Sequence, residues 1–183
     1  MFRSTSENLY KSEIMEGGMP RLIIIRGNSG SGKTTVAKAL QQKFGHNCML
    51  ISQDVIRRDM LRVKDGVNTK ALSLMKELLL YGKNNCEIVI LEGILKASWY
   101  QSLFELAMYE FGDKIFAYYY DIPFDETVKR HQTKPNKDDF NEIDMSDWWN
   151  EKDFINFIHE KGITKDMELN DTVEYIYQDV MSS

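Results

Sequence analysis

The segment Gly27-Asn28-Ser29-Gly30-Ser31-Gly32-Lys33-Thr34 has the spacing G-x-x-x-x-G-K-[ST]. Glycines at these places let backbone N–H groups turn inward around anionic oxygens. A helix opening at the end of the segment adds the positive end of its dipole. A lysine at position 33 reaches the β and γ phosphates of a nucleotide, and a hydroxyl at position 34 is placed for Mg²⁺. The spacing therefore predicts that residues 27–35, from Gly27 to Thr35, bind the phosphates of ATP with Mg²⁺. The competing reading is a glycine-rich turn that binds nothing.

Such a loop implies nucleotide binding and leaves the reaction open. Three further features bear on it. Asp54 follows an apolar run in Ser52-Gln53-Asp54-Val55-Ile56-Arg57-Arg58. A carboxylate there can take the proton of an attacking hydroxyl, or it can simply cap the next helix. Arg57 and Arg58 can hold an anionic or hydroxyl-bearing acceptor through their guanidinium groups. Glu92 ends the run Glu87-Ile88-Val89-Ile90-Leu91 and can serve Mg²⁺, through water, or point to the acceptor. The third feature is Lys129-Arg130-His131-Gln132-Thr133-Lys134-Pro135-Asn136-Lys137, a basic cluster in an acidic chain. It reads as a mobile lid whose Arg130 and Lys134 neutralise charge on the transferring group. A solvated helix end is the alternative. His131 is expected at the surface.

These residues need a scaffold that gathers them, and the hydrophobic pattern describes one. Leu22–Ile25, Cys48–Ile51, Glu87–Leu91 and Ile115–Tyr120 are apolar runs of strand length. Between them, helical spacing covers 35–44, 55–61, 69–81 and 98–111, the last capped by Ser98. Pro123 opens a helix to about Thr133, 144–157 has helical spacing, a weak strand lies near 161–163, and Asn170 or Asp171 caps a final helix. Strands alternating with helices predict a three-layer α/β fold with a mainly parallel sheet. Right-handed crossovers bring the C-terminal strand ends, and the residues after them, to one edge.

The loop, the Asp54-Val55-Ile56-Arg57 spacing and the Arg130 to Lys134 spacing resemble the small P-loop kinases of the nucleoside-monophosphate-kinase-like superfamily. Within it the chain resembles the group that holds polynucleotide kinase, zeta toxin and chloramphenicol phosphotransferase. The resemblance covers about residues 20–180 and implies a five-stranded P-loop NTPase fold with a lid. It implies transfer of the γ-phosphoryl of ATP to a hydroxyl, with Asp54 as base, Arg57 on the acceptor, and Arg130 and Lys134 in the lid. Glu92 departs from the Asp common at that place. The acceptor is left open among nucleosides, sugars, antibiotic-like compounds and nucleic-acid ends. Beside a small-molecule kinase stand two alternatives, a 5′-hydroxyl polynucleotide kinase and a non-catalytic module that switches on ATP.

The chain has 183 residues, which suits one domain: an extension over 1–19 and a kinase domain over 20–183. Its apolar runs are too short for a membrane span. With no apolar leader and only Cys48 and Cys86, a cytoplasmic protein without disulfides is expected, the thiols buried. Of Trp148 and Trp149, one is expected in the core and the other at a pocket. The net charge of -5 disfavours broad duplex binding. That charge is uneven: residues 138–183 hold 13 acids and 3 bases, and residues 1–137 hold 20 bases and 15 acids. The basic excess thus coincides with the phosphate loop, the arginine pair and the basic cluster.

Overall fold

The computed structural model describes residues 18–133 and 141–182. Five strands form one parallel sheet in the order β2-β3-β1-β4-β5: β1 (Arg21–Gly27), β2 (Cys48–Ser52), β3 (Ile88–Gly93), β4 (Ile115–Tyr120) and β5 (Glu160–Ile163). The helices are α1 (Lys33–Phe44), α2 (Lys70–Asn85), α3 (Gln101–Phe111), α4 (Phe124–Gln132), α5 (Glu142–Asp147) and α6 (Leu169–Met181), with a π-helix over Val55–Met60. No helix among the described residues is long and apolar enough to cross a membrane.

The unbroken Leu22-Ile23-Ile24-Ile25 run explains the three layers. Successive strand side chains point to opposite faces, so β1 feeds two cores. Leu22 and Ile24 join Met75, Leu79, Leu103 and Phe104 under α2 and α3. Ile23 and Ile25 join Val36, Leu40, Ile176 and Val180 under α1 and α6. All four β1 side chains are fully buried, each contributing about 1.5–3 kcal/mol.

Several helix expectations change. Helix α2 runs past Tyr81 through Gly82, where an added Cβ would meet Val89 Cγ2 at 2.7 Å. That glycine allows the helix to lie close on β3 instead of ending there. Helix α3 begins at Gln101, after a turn in which the Trp99 and Tyr100 amides bond the Lys96 carbonyl, and Ser98 caps nothing. Neither Asn170 nor Asp171 caps α6, whose N-cap residue is Glu168.

The largest difference lies after Asp147, where the helix expected over 144–157 is only the short α5, Glu142–Asp147. Tertiary hydrogen bonds win there. Asn28 grips the Asn150 backbone, Asp153 is bonded to Arg26, and the Ile155 amide bonds Glu160. The Asn150 and Ile155 bonds take backbone groups that a continuing helix would need, and the Asp153 bond anchors the chain between them. Cys48 and Cys86 are half-buried free thiols, not fully buried ones. Burial, with a smaller push from Cys86, moves the Cys48 thiol up to about 12.

Candidate active site

The C-terminal ends of β1, β2 and β3 open into a cleft of about 1210 Å³. In it lie Ser29, Gly30, Gly32, Lys33, Thr34 and Thr35 from the phosphate loop, with Asp54, Arg57, Arg58 and Glu92 from the next two strand ends. The expectation that sheet topology gathers these residues is met. The loop turns tightly: Gly30 has φ +82, and a Cβ there would meet the Thr127 carbonyl oxygen at 2.5 Å. Lys33 is 7% exposed and donates from Nζ to the Asn28 carbonyl at 2.7 Å and to Ser31 Oγ at 3.3 Å. Its ammonium therefore lies over the concave side of the loop that its own backbone forms.

Glu92 is 2% exposed, so it is not a strand-end carboxylate lying in solvent. The parallel register sets Ser52 beside Glu92. Ser52 Oγ donates to Glu92 Oε1, and Thr34 Oγ1 donates to Glu92 Oε2 at 3.2 Å. Two hydroxyls and one carboxylate make a hard oxygen donor set beside the phosphate loop. Mg²⁺ binds by one or two carboxylates together with phosphates and waters, so these residues fit it. Sequence reasoning missed Ser52, although its register with Glu92 is the signal that finds it.

Asp54 stands at the start of the π-helix, yet its side chain caps no amide. Its Oδ1 instead accepts from Arg57 Nη2 at 2.9 Å and lies 3.4 Å from Arg58 Nε. The Leu61 amide bonds the Ile56 carbonyl five residues back. Such wide turns recur at functional sites, and the i+3 and i+4 spacing sets both arginines beside a single carboxylate. Arg57 Nε is buried and has no hydrogen-bond partner among the described residues.

Behind this wall runs a network that the sequence did not announce. Gln53, 2% exposed, donates to Asp65 Oδ2 and to the Tyr100 hydroxyl, and accepts from the Leu95 amide. Tyr100 donates in turn to Asp65 Oδ1 at 2.6 Å. Burial and that carboxylate push the Tyr100 phenol well above its ordinary range. The π-helix, the 61–66 loop and the loop after β3 are thereby tied together. Arg26, fully buried, makes the second tie. It bonds Glu160 at 2.8 and 3.0 Å, Asp153 at 2.8 Å and the Leu95 carbonyl at 2.8 and 3.0 Å.

Other expected residues fall elsewhere. Gly27, Asn28 and Ser31 belong to the loop but not to the cleft lining. Arg130 reaches the loop from α4: it donates to the Ser31 carbonyl at 3.2 Å, the Lys165 carbonyl at 2.9 Å and Glu126 Oε1 at 2.9 Å. Lys134, like the 1–17 part of the extension, lies outside the described residues. His131 is 4% exposed, on the inner side of α4 with Thr127 and Val128, so the surface expectation is overturned. Neither tryptophan joins the core: Trp148 is exposed, Trp149 is half-buried, and both line the cleft. Trp149 packs edge-on against Phe124 at 5.2 Å.

A parallel β2-β3-β1-β4-β5 sheet with this loop after its central strand defines a kinase-like P-loop domain. A family model described as an AAA domain, AAA_33, matches residues 22–155, and the chain belongs to that family. Solved structures share the fold at low identity. An APS kinase of Mycobacterium tuberculosis, in complex with AMPPNP and APS, has 15% identity and a TM-score of 0.70, covering 90% of this chain and 99% of that chain. A gluconokinase from Sinorhizobium meliloti has 17% identity and a TM-score of 0.60, covering 90% and 93%. A tunicamycin resistance protein of Deinococcus radiodurans has 17% identity and a TM-score of 0.62, covering 88% and 95%. A comparison with curated proteins finds no match.

Proposed function

We propose that the protein is an ATP-dependent kinase that phosphorylates a hydroxyl of a small-molecule acceptor. The observation that carries this reading is one cleft in which Asp54, on the second strand end, faces the same space as Lys33, Thr34 and Glu92. In this reading the loop amides and Lys33 bind the phosphates of ATP. Thr34 and Glu92, braced by Ser52, hold Mg²⁺, which when bound offsets the negative charge of the phosphates. Asp54 takes the proton of the acceptor hydroxyl. The acceptor oxygen bonds to the γ-phosphorus as the bond to the β–γ bridging oxygen breaks, and ADP leaves. Arg57 and Arg58 orient both Asp54 and the acceptor. Arg130, tied to the loop at Ser31, steadies the nucleotide side. A kinase of this kind acts in the cytoplasm, where ATP is supplied.

The fold likeness to an APS kinase and a gluconokinase supports the reaction class, since both are named as kinases. The reading is tested by following the labelled γ-phosphate of ATP onto nucleosides, sugars, sugar acids, aminoglycosides and 5′-hydroxyl oligonucleotides. Transfer to a small acceptor, with Mg-ATP stabilisation abolished in Lys33→Ala, is the expected result. Nucleotide binding with no transfer to any acceptor would replace the kinase by an ATP-gated module.

A further inference from the structure

Residues 22, 24 and 26 of β1 share one face, so the last of them sends a guanidinium into the apolar layer under α2 and α3. Arg26 is fully buried there, 5.2 Å from the Phe104 ring centroid and 5.7 Å from that of Tyr119. A charge in such a place has to be answered by hydrogen bonds. Its partners lie far along the chain: the Leu95 carbonyl, Asp153 and Glu160.

Leu95 is the unusual one. It is fully buried and has φ +46, in the left-handed region. A leucine there crowds its Cβ against its own backbone, so the turn persists only where its surroundings over-determine it. Here they do. Arg26 Nε and Nη2 hold the Leu95 carbonyl, and Gln53 Oε1 takes the Leu95 amide at 3.1 Å. Two residues on, the Ala97 amide donates at 2.8 Å to Asp153 Oδ2, the same oxygen that accepts from Arg26 Nη2. The turn so held sets Ile94, Lys96 and Trp99 along the cleft.

Asp153 belongs to a second wall as well. Its backbone amide donates to the Tyr119 hydroxyl at 3.2 Å, and three residues earlier Asn150 lines the cleft together with Trp148 and Trp149. Arg26 also holds Glu160, which takes the Ile155 amide at 2.7 Å. One guanidinium, next in sequence to the first glycine of the phosphate loop, therefore sets the loop after β3 and the 148–153 segment relative to each other.

The structure assigns Arg26 as a positioning residue for the acceptor side of the cleft, acting with Asp153 to hold the left-handed turn at Leu95. The assignment rests on the phosphoryl-transfer reading above and deepens it. Arg26 is fully buried, so it acts through the turn rather than on a bound molecule. It sets how the stretch with Lys96 and Trp99 stands against Trp148 and Asn150, and so how an acceptor is held between them. Lys33, Thr34 and Glu92 on the nucleotide side are oriented by other partners: the Asn28 carbonyl, Ser31 and Ser52.

The test compares wild type with Asp153→Ala, Asp153→Asn and Arg26→Lys. Asp153→Ala frees the Ala97 amide but leaves the Arg26–Glu160 pair, and the Asp153 side chain is 18% exposed, so this variant carries the test even if Arg26→Lys does not fold. Asparagine keeps an oxygen that can accept both bonds. Lysine keeps a charge facing Glu160 but lacks the fork that holds the Leu95 carbonyl. The chain's three tryptophans, Trp99, Trp148 and Trp149, all line this cleft, so their fluorescence reads its walls.

In hydrogen exchange the Ala97 amide of Asp153→Ala should lose about tenfold of its protection, the weight of one hydrogen bond, and Asp153→Asn should restore it. Acrylamide should quench the tryptophans more strongly in Asp153→Ala and Arg26→Lys than in wild type. Affinity for Mg²⁺ with a non-hydrolysable ATP analogue should stay within about twofold, as for a distant and independent site. For the compound that accepts the labelled phosphate, KM should rise about tenfold in both variants while KM for ATP holds. Quenching and exchange that match wild type in folded Asp153→Ala overturn the assignment. A loss of nucleotide affinity as large as the loss for the acceptor also overturns it, since the bonds then serve general stability. If the walls loosen as stated but no compound ever accepts the labelled phosphate, the kinase reading fails and the clamp on the turn stands.

Discussion

Asn28 and Asn150 hold one another by a reciprocal pair of hydrogen bonds. Asn28 Nδ2 donates to the Asn150 carbonyl at 2.8 Å, and the Asn150 amide donates to Asn28 Oδ1 at 2.9 Å. The second residue of the phosphate loop thus fixes the segment that carries Trp148 and Trp149. Asn28 is 5% exposed, so its polar atoms have little water to fall back on.

Replacing Asn28 with Ala leaves the Asn150 backbone unpaired. A buried backbone group without a partner costs about 1–3 kcal/mol. Denaturant unfolding of Asn28→Ala should show a loss of that order. The 147–153 segment should also become more open to protease. Unaltered stability and an unaltered cleavage pattern would show that the pair holds nothing.

The buried arginine predicts a larger effect. Arg26 is fully buried, and the Glu160 side chain it meets is only 1% exposed. Arg26→Leu strands that carboxylate, and breaking a buried pair from one side costs about 3–5 kcal/mol. The double variant Arg26→Leu/Glu160→Leu removes both charges and should recover part of the loss. Equilibrium unfolding of the three proteins reads this directly, and a single variant as stable as the wild type would contradict it.

On the same edge strand, Lys161 of β5 donates to both oxygens of Asp179 on α6 at 2.6 Å. Burial opposes the Asp179 charge, but the hydrogen bonds from Lys161 and Tyr118 outweigh it, and the carboxyl sits below its ordinary 3.8. A depressed folded value adds stability above the ordinary carboxylate range and loses it as pH falls through the folded value. Both side chains are partly exposed, so the gain is screened to under about 1 kcal/mol. Asp179→Asn should therefore melt slightly lower than wild type at neutral pH, with the gap closing in acid. A gap that is constant across this range would remove the ion pair as its cause.

What the sequence made legible was the part written in local chemistry. Ile23 to Ile25, the loop through Thr34, and Asp54 each speak through neighbours close in sequence, and topology alone gathers them at one edge. What stayed hidden was long-range pairing. No periodicity reports that Asn28 will claim the Asn150 backbone, or that Arg26 will claim Asp153 and Glu160. Those bonds cut short a helix that local spacing favours over 144–157. His131 shows the same limit. Its basic neighbours suggest solvent, but it lies four residues after Thr127 on a helix, which turns it inward. The arginines near Asp54 were visible as types. Their places three and four residues after Asp54 already set them beside its carboxylate, and what no pattern in the sequence marks is the π-turn.

The most direct measurement of the central claim is single-turnover phosphoryl transfer by Asp54→Asn beside wild type, with nucleotide affinity measured on both. Asparagine keeps the shape and loses the base, so transfer should slow by about 10²-fold or more while Mg-ATP binds as before. Transfer at the wild-type rate would contradict Asp54 as the group that takes the acceptor's proton.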